Sequence, residues 1–320
     1  MPPKKVAQKT ATARAVSAPI SATAQAGRGA RTPPPTVSGR WLLTAVMLSV
    51  VAAAFCGWGA LCLLFWQGSW QLLYHPSSAI TRTPASAGLA FDPVGFATTE
   101  AAEQRLKAWW IPAGPEAKYG RFTVLYLHGQ DGNLSDSIET LSALHKVGLN
   151  VFAFDYRGYG QSQFQRPSEA RWREDADWAI RYLTETRHVA AGSIVLDGRD
   201  LGANLALEVA AAHPELAGVV LESPLEEPMN AIFNDSRAHM VPAHLLVRDR
   251  FDAVRAAAQL KIPSMWIYPA KNPPHRLNPE PYQVVTAVHM LVWQYEAGDE
   301  KASLPRWLDD LGPGSLTPLH

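Results

Sequence analysis

Three glycine-rich stretches hold most of the side chains that could do chemistry in this chain. They are His128-Gly129-Gln130-Asp131-Gly132-Asn133, Asp155-Tyr156-Arg157-Gly158-Tyr159-Gly160-Gln161-Ser162 and Gly198-Arg199-Asp200-Leu201-Gly202. In the third, a carboxylate stands between two glycines, ahead of an apolar stretch with helical spacing. A carboxylate is ionised at neutral pH, so it attacks carbon without a base to remove a proton first. The ester it forms must still be hydrolysed, and that step needs a base to activate water, nearly always an imidazole. Asp131 and Asp155 read better as turn-forming side chains, and Arg157 as a brace for its glycine-rich loop.

Each stretch directly follows a short β-branched or aromatic run: residues 122–127 (FTVLYL), 150–154 (NVFAF) and 193–196 (SIVL). Further runs of this kind lie at 218–221 (GVVL), 264–268 (SMWIY) and 290–295 (MLVWQY). Between them the spacing predicts helices over 135–146, 169–184, 201–212, 251–260 and 304–311. The second would carry Trp172, Ala176, Ile180 and Leu183 on one face. Apolar strands linked by helical crossovers mean a mostly parallel sheet covered on both faces, an α/β class. The segment from about 75 to 320 is of a size that one domain can hold, and there is no internal repeat.

The order and spacing of the H-G-x-x-G-N and D-x-R-G-x-G-x-S stretches, with the glycine-flanked elbow after them, resemble the α/β-hydrolase superfamily. The likeness is greatest to its membrane-anchored, short-lid branch, often described as serine aminopeptidase-like, and runs from about residue 72 to residue 311. It implies an α/β-hydrolase fold with a nucleophile at position 200. It also implies oxyanion N–H donors at Gln130 and Leu201, an acid soon after the 264–268 strand, and a histidine after the last strand. Gly198 and Gly202 keep the glycines the elbow requires. The chemical side chains depart from the pattern. Asp200 replaces the expected serine, Asn272 stands at the acid position, and Asp299 stands where the imidazole belongs.

An elbow aspartate is the nucleophile in the dehalogenase and epoxide-hydrolase branches, so the resemblance leaves a covalent route open. His275, in the loop after the 264–268 strand, is the tempting base, although its neighbours give no triad pattern and loop polarity accounts for it better. His289 begins the last strand, about 20 Å from the active edge at ~3.3 Å per residue, and reads as structural. His239 and His244 belong to a lid expected over 225–250, and His128 to its turn. Lid residues Met229, Ile232, Phe233, Met240, Leu245 and Leu246 either line an acyl or peptide pocket or pack the insertion onto the sheet. Asp200 and Asp299 could pair, sharing a proton or a cation, but no third ligand is evident. Neither a metal nor a cofactor is expected.

The 320 residues carry 29 basic and 29 acidic side chains, yet residues 1–40 hold seven basic and no acidic ones. The other 280 therefore hold 22 basic and 29 acidic residues, which argues against nucleic acid as a partner. A hydrophobic content of 47% excludes disorder throughout, and two cysteines exclude a disulfide scaffold or a Cys-rich zinc site. Residues 41–66 are almost wholly apolar, flanked by Trp41 and Trp66. About 20 helical residues cross a ~30 Å hydrocarbon core, so this stretch reads as an uncleaved transmembrane anchor. Three parts are expected: a disordered basic tail over 1–40, the anchor over 41–66, and a hydrolase-like domain over 67–320. The basic tail places the N-terminus in the cytoplasm and the C-terminal domain in the periplasm or outside. The expected function is a membrane-tethered hydrolase-fold protein without serine-hydrolase activity that binds an acyl or peptide-like ligand or a protein partner. The alternatives are an active hydrolase using Asp200 as covalent nucleophile, or a scaffold of a membrane complex.

Overall fold

The computed structural model describes residues 37–98, 104–269, 289–294 and 301–311, with backbone only over 289–294. The chain divides into two compact units, Met1–Ala53 and Ala54–His320. In chain order the strands are β1 His75–Pro76, β2 Asp92–Thr98, β3 Gln104–Ile111, β4 Thr123–Leu127, β5 Asp131–Gly132, β6 Asn150–Asp155, β7 Ile194–Arg199, β8 Gly218–Glu222, β9 Ser264–Pro269 and β10 His289–Gln294. The α-helices are α1 Gly39–Gly68, α2 Ile138–Val147, α3 Glu169–Arg181, α4 Leu201–Ala212, α5 Asn230–Phe233, α6 Ala243–Leu246, α7 Ala253–Gln259 and α8 Leu304–Asp310. The basic tail expected over 1–40 lies almost entirely outside the described residues.

Eight strands form one sheet in the order β10-β9-β8-β7-β4-β6-β3-β2. The run from β10 to β6 is parallel, as the apolar strand pattern requires. β2 and β3 add an antiparallel hairpin at one edge that the spacing did not single out. Its alternation is clear once the pairing is known: Val94, Phe96, Leu106 and Ala108 face one side, and Trp109 and Ile111 the other.

Two apolar layers cover the sheet. One holds α3, α4 and α7 against Leu125, Phe152, Leu196 and Leu221. The other packs α2 and α8 on Val124, Val151, Val195 and Val220. Strand residues alternate between these layers because successive side chains point to opposite faces. The expected face of α3 is buried, with Trp172, Ala176 and Leu183 fully so, and Ser168 caps the helix through the Arg171 N–H. A π-helical turn over Tyr182–Thr186 replaces its predicted last turn. α4 is buried almost all round, which accounts for a nearly uninterrupted apolar sequence.

α1 is 30 residues long, and Phe65 is its buried residue. It is long and apolar enough to cross a membrane, with a mean hydropathy of 2.2 over its best 18-residue window. The lid stretch consists of α5, a 3₁₀ turn over Ser236–Met240, and α6. Met229 and Ile232 are packed down, whereas Met240 and Leu245 point outward.

Candidate functional site

The site is built where β7 meets α4. Asp200 sits at this junction with φ 52° and ψ −122°, a positive-φ conformation that non-glycine residues rarely adopt. Its N–H donates to the Glu222 carbonyl at 2.9 Å, which ties the elbow to the end of β8. Strain of this kind persists only where the surroundings over-determine it. The flanking glycines do so. A Cβ on Gly202 would lie 2.3 Å from the Leu127 and His128 carbonyl oxygens, and one on Gly198 would lie 2.3 Å from the Gly202 carbonyl oxygen. The requirement read from the sequence is therefore a close approach of α4 to the end of β4.

One of the two expected oxyanion donors, the Leu201 N–H, is already taken up. The Gln130 side-chain oxygen accepts from the Leu201 N–H at 3.2 Å, and its Nε2 donates to Asp131 at 3.3 Å. The first turn of a helix leaves its N–H groups without internal partners, so Leu201 is free to take this one. An amide oxygen thus rests on one of the two N–H groups expected to receive a substrate oxygen.

The Asp200 carboxylate is about half-exposed, and Arg199 Nε lies 3.8 Å from it. Burial raises its pKa. Arg199 opposes the shift, and Glu222 and Asp131 add to it. Among the described residues no imidazole nitrogen comes within 4 Å of this carboxylate. Asn272, Asp299 and His275 lie outside the described residues, so the carboxylate pair suggested for Asp200 and Asp299 does too. Among the described residues no cluster of three or more His, Cys, Asp or Glu could hold a metal.

The other candidates are placed as structural parts. His128 is buried against Tyr156, Tyr159 and Trp172, with Nδ1 on the Gly129 carbonyl at 2.8 Å. Asp155 accepts from the Leu134 N–H, and a Cβ on Gly160, at φ 51°, would lie 2.0 Å from its Oδ2. Arg157 braces its loop by donating to Asp175 and to Glu174, each at 2.5 Å, while stacking on Trp178. His244 packs on Phe233 in the lid. His289 begins β10, at the end remote from the elbow, because β10 runs parallel to β9.

Sequence reasoning missed two polar assemblies. The first pairs His75 Nδ1 with Asp131 at 2.7 Å, beside the Gln130 turn, where β1 and β5 form a two-residue sheet. Two-residue strands 56 positions apart leave no periodic signal. The second lies under the elbow. Asp197 follows Val195 by two residues on β7, and Glu222 follows Val220 by two on β8, so both carboxylates point into the α2–α8 layer. Lys301 enters that layer just ahead of α8, where its ammonium meets Asp197 at 2.5 Å and also touches Glu222. Burial works against the lysine's charge, but the two carboxylates overcome it and raise its pKa. Burial pushes Asp197 up to about 7, with Lys301 pulling the other way. An acidic residue in an apolar strand (IVLDGR) was the available clue.

Residues 123–270 match the family model of the α/β-hydrolase fold. An uncharacterized protein of Mycobacterium tuberculosis is 29% identical over 227 residues, covering 69% of this chain and 75% of that protein. The α/β-hydrolase domain-containing protein WAV2 of Arabidopsis thaliana is 25% identical over 246 residues, covering 69% and 77%. Among solved structures, the Pyrococcus furiosus esterase Pf2001 superposes with a TM-score of 0.57 at 18% identity, covering 74% of this chain and all of that one. The chain is an α/β-hydrolase-fold protein.

Proposed function

We propose that this is a membrane-anchored α/β-hydrolase-fold protein without serine-hydrolase activity, which acts by binding a small acyl or peptide-like ligand or a protein partner at its elbow face. The observation that carries this reading is a carboxylate on an intact elbow, with the Gln130 amide oxygen seated on the Leu201 N–H. A serine hydrolase needs a hydroxyl, a base within hydrogen-bond reach, and open oxyanion donors. The long apolar α1 supports the anchor. The basic tail supports a cytoplasmic N-terminus and a C-terminal domain on the far side of the membrane. The aminopeptidase-like branch, the loss of the triad and the division into tail, anchor and domain with a lid over 225–250 belong to the same proposal. The test is ester turnover by the purified full chain. No p-nitrophenyl-ester hydrolysis above the Asp200→Ala variant is expected, and turnover that disappears in that variant overturns the reading.

A second reading has Asp200 as a covalent nucleophile, favoured by the strained elbow that presents its half-exposed carboxylate. The carboxylate oxygen would displace a halide or open an epoxide, and water would then cleave the ester. Incubation with an alkyl halide or epoxide should then add the alkyl mass to the peptide holding Asp200. A chain that stays unmodified and releases neither halide nor diol counts against it.

A further inference from the structure

The C-terminal half of α1, from residue 54, packs against the lid. Phe65 is buried there, and Trp58 Nε1 donates to the Met240 carbonyl at 3.1 Å. Between this half-helix and α6 lies a cavity of about 380 Å³, walled by Cys62, Leu63, Trp66, Leu245, Leu246 and Arg248. A second cavity, of about 590 Å³, shares Trp66, Leu246 and Arg248 with the first and is bounded by Arg166 and Arg171. Both volumes lie in the range of small-ligand sites. Apart from Arg248 the side chains around the first are apolar, and it opens beside the outward-pointing Leu245, 83% exposed, and Leu63, 52% exposed. The second holds three arginines against two carboxylates.

Asp249 and Glu174 line this cavity too, but neither pairs directly with its arginines. Among the described residues no carboxylate comes within 4 Å of the guanidinium of Arg166, Arg171 or Arg248, and the carboxylates of the same wall are engaged elsewhere. Asp249 accepts from the Tyr74 hydroxyl at 2.6 Å, and Glu174 from Arg157 at 2.5 Å. Arg166 lies over the Trp66 ring and donates to the Trp66 carbonyl at 2.6 Å, while Arg171 donates to the Arg166 carbonyl at 3.0 Å. Burial lowers the Arg166 pKa; Asp249 resists this and Arg171 reinforces it. A half-buried cation beside another cation is relieved by an anion. Guanidiniums match phosphate geometry, and a tryptophan at the end of an apolar helix marks headgroup depth.

We propose that this helix–lid junction binds one anionic phospholipid, with its phosphate on Arg166, Arg171 and Arg248 and its acyl chain along Leu63, Trp66, Leu245 and Leu246. The site rests on the membrane-anchor reading above. A soluble phosphate would satisfy the arginines, but it would leave the cavity beside Leu63 and the exposed Leu245 unused.

The test is lipid retention by the full chain in nanodiscs of mixed phosphatidylglycerol and phosphatidylcholine, with bound lipids counted by native mass spectrometry. Phosphatidylglycerol should be retained over phosphatidylcholine. Arg166→Gln/Arg248→Gln should lower that preference roughly twentyfold, at about fivefold for each guanidinium near an anionic lipid. Arg248 donates to no protein group among the described residues, so Arg248→Gln alone should cost about fivefold and leave thermal stability unchanged. Equal retention of the two lipids, or an unchanged preference in both variants, overturns the site. Thermal protection in detergent by inorganic phosphate equal to that by phosphatidylglycerol overturns the lipid assignment. Carbonate washing of membranes separates the two premises. A released chain refutes the anchor, whereas a retained chain without lipid preference refutes only the site.

Discussion

Lys301→Met removes the one cation among the described residues that meets both Asp197 and Glu222, while keeping a similar length of side chain. Asp197 is fully buried and Glu222 is 3% exposed, so neither carboxylate can turn to water. Removing one partner of a buried ion pair costs about 3–5 kcal/mol, because the remaining charge is left uncompensated. With two carboxylates stranded, the upper half of that range is expected. At about 2–4 °C per kcal/mol for a domain of this size, the melting temperature should fall by roughly 10 °C or more. The loss should also depend on pH. Without the ammonium, the buried Asp197 carboxyl holds its proton to higher pH than the ordinary aspartate value of 3.8. The folded variant then binds more protons than the unfolded chain, so its stability rises as pH falls. The deficit against the parent protein is therefore largest near pH 8 and shrinks towards pH 5. Thermal unfolding followed by circular dichroism at both pH values measures it. A loss below about 1 kcal/mol at pH 8, or an equal loss at both, would refute the argument that a buried ion cluster holds α8 to the sheet. Lys301→Met/Asp197→Asn/Glu222→Gln should regain much of the loss, since no unpaired charge is then buried.

Gly202→Ala places a Cβ 2.3 Å from two backbone carbonyl oxygens. It should cost about 1–3 kcal/mol or more by denaturant unfolding, since neither carbonyl belongs to a flexible side chain. Asp200→Asn should stabilise at pH 8 by no more than about 1 kcal/mol, discounted for screening at a half-exposed position. Burial raises the Asp200 pKa, so its ionisation opposes folding as pH rises, and the gain should vanish at pH 3. His213 donates to Asp177 and Glu215, and these partners raise its pKa to about 9 against the cost of burial. Its stabilising contribution is complete below pH 6.5 and lost as pH rises through 9. The pH dependence of unfolding over that window should flatten in His213→Gln. Asp200→Ser alone should not label with a fluorophosphonate, because a lone hydroxyl lacks its base.

The parallel sheet, the helices around it and the elbow were legible because their signals are local. Apolar runs of five or six residues, helical spacing on α3 and α4, and glycines at fixed offsets each report their own surroundings. The glycines at 198 and 202 are informative because the fold leaves no room for a Cβ there. Legibility fails where two distant segments share one interaction. Nothing near Lys301 in sequence shows that it meets carboxylates 104 and 79 positions earlier, and nothing near Gln130 shows that its amide reaches the Leu201 N–H, 71 positions away. The hairpin of β2 and β3 went unseen for a related reason. Its alternation is interrupted by Pro93, Gly95 and a charged Lys107, and becomes plain only with the register known.

The sequence by itself therefore determined the fold class, the glycine-flanked turn that holds Asp200, and an apolar segment of membrane-spanning length. Those follow from periodicity, glycine sterics and the identity of single residues. Only the tertiary structure decided what surrounds Asp200: the Gln130 amide on the Leu201 N–H, the arginine beside it and the buried lysine cluster beneath. Electrostatics and hydrogen bonding depend on distance in space, and separation along the chain does not record it.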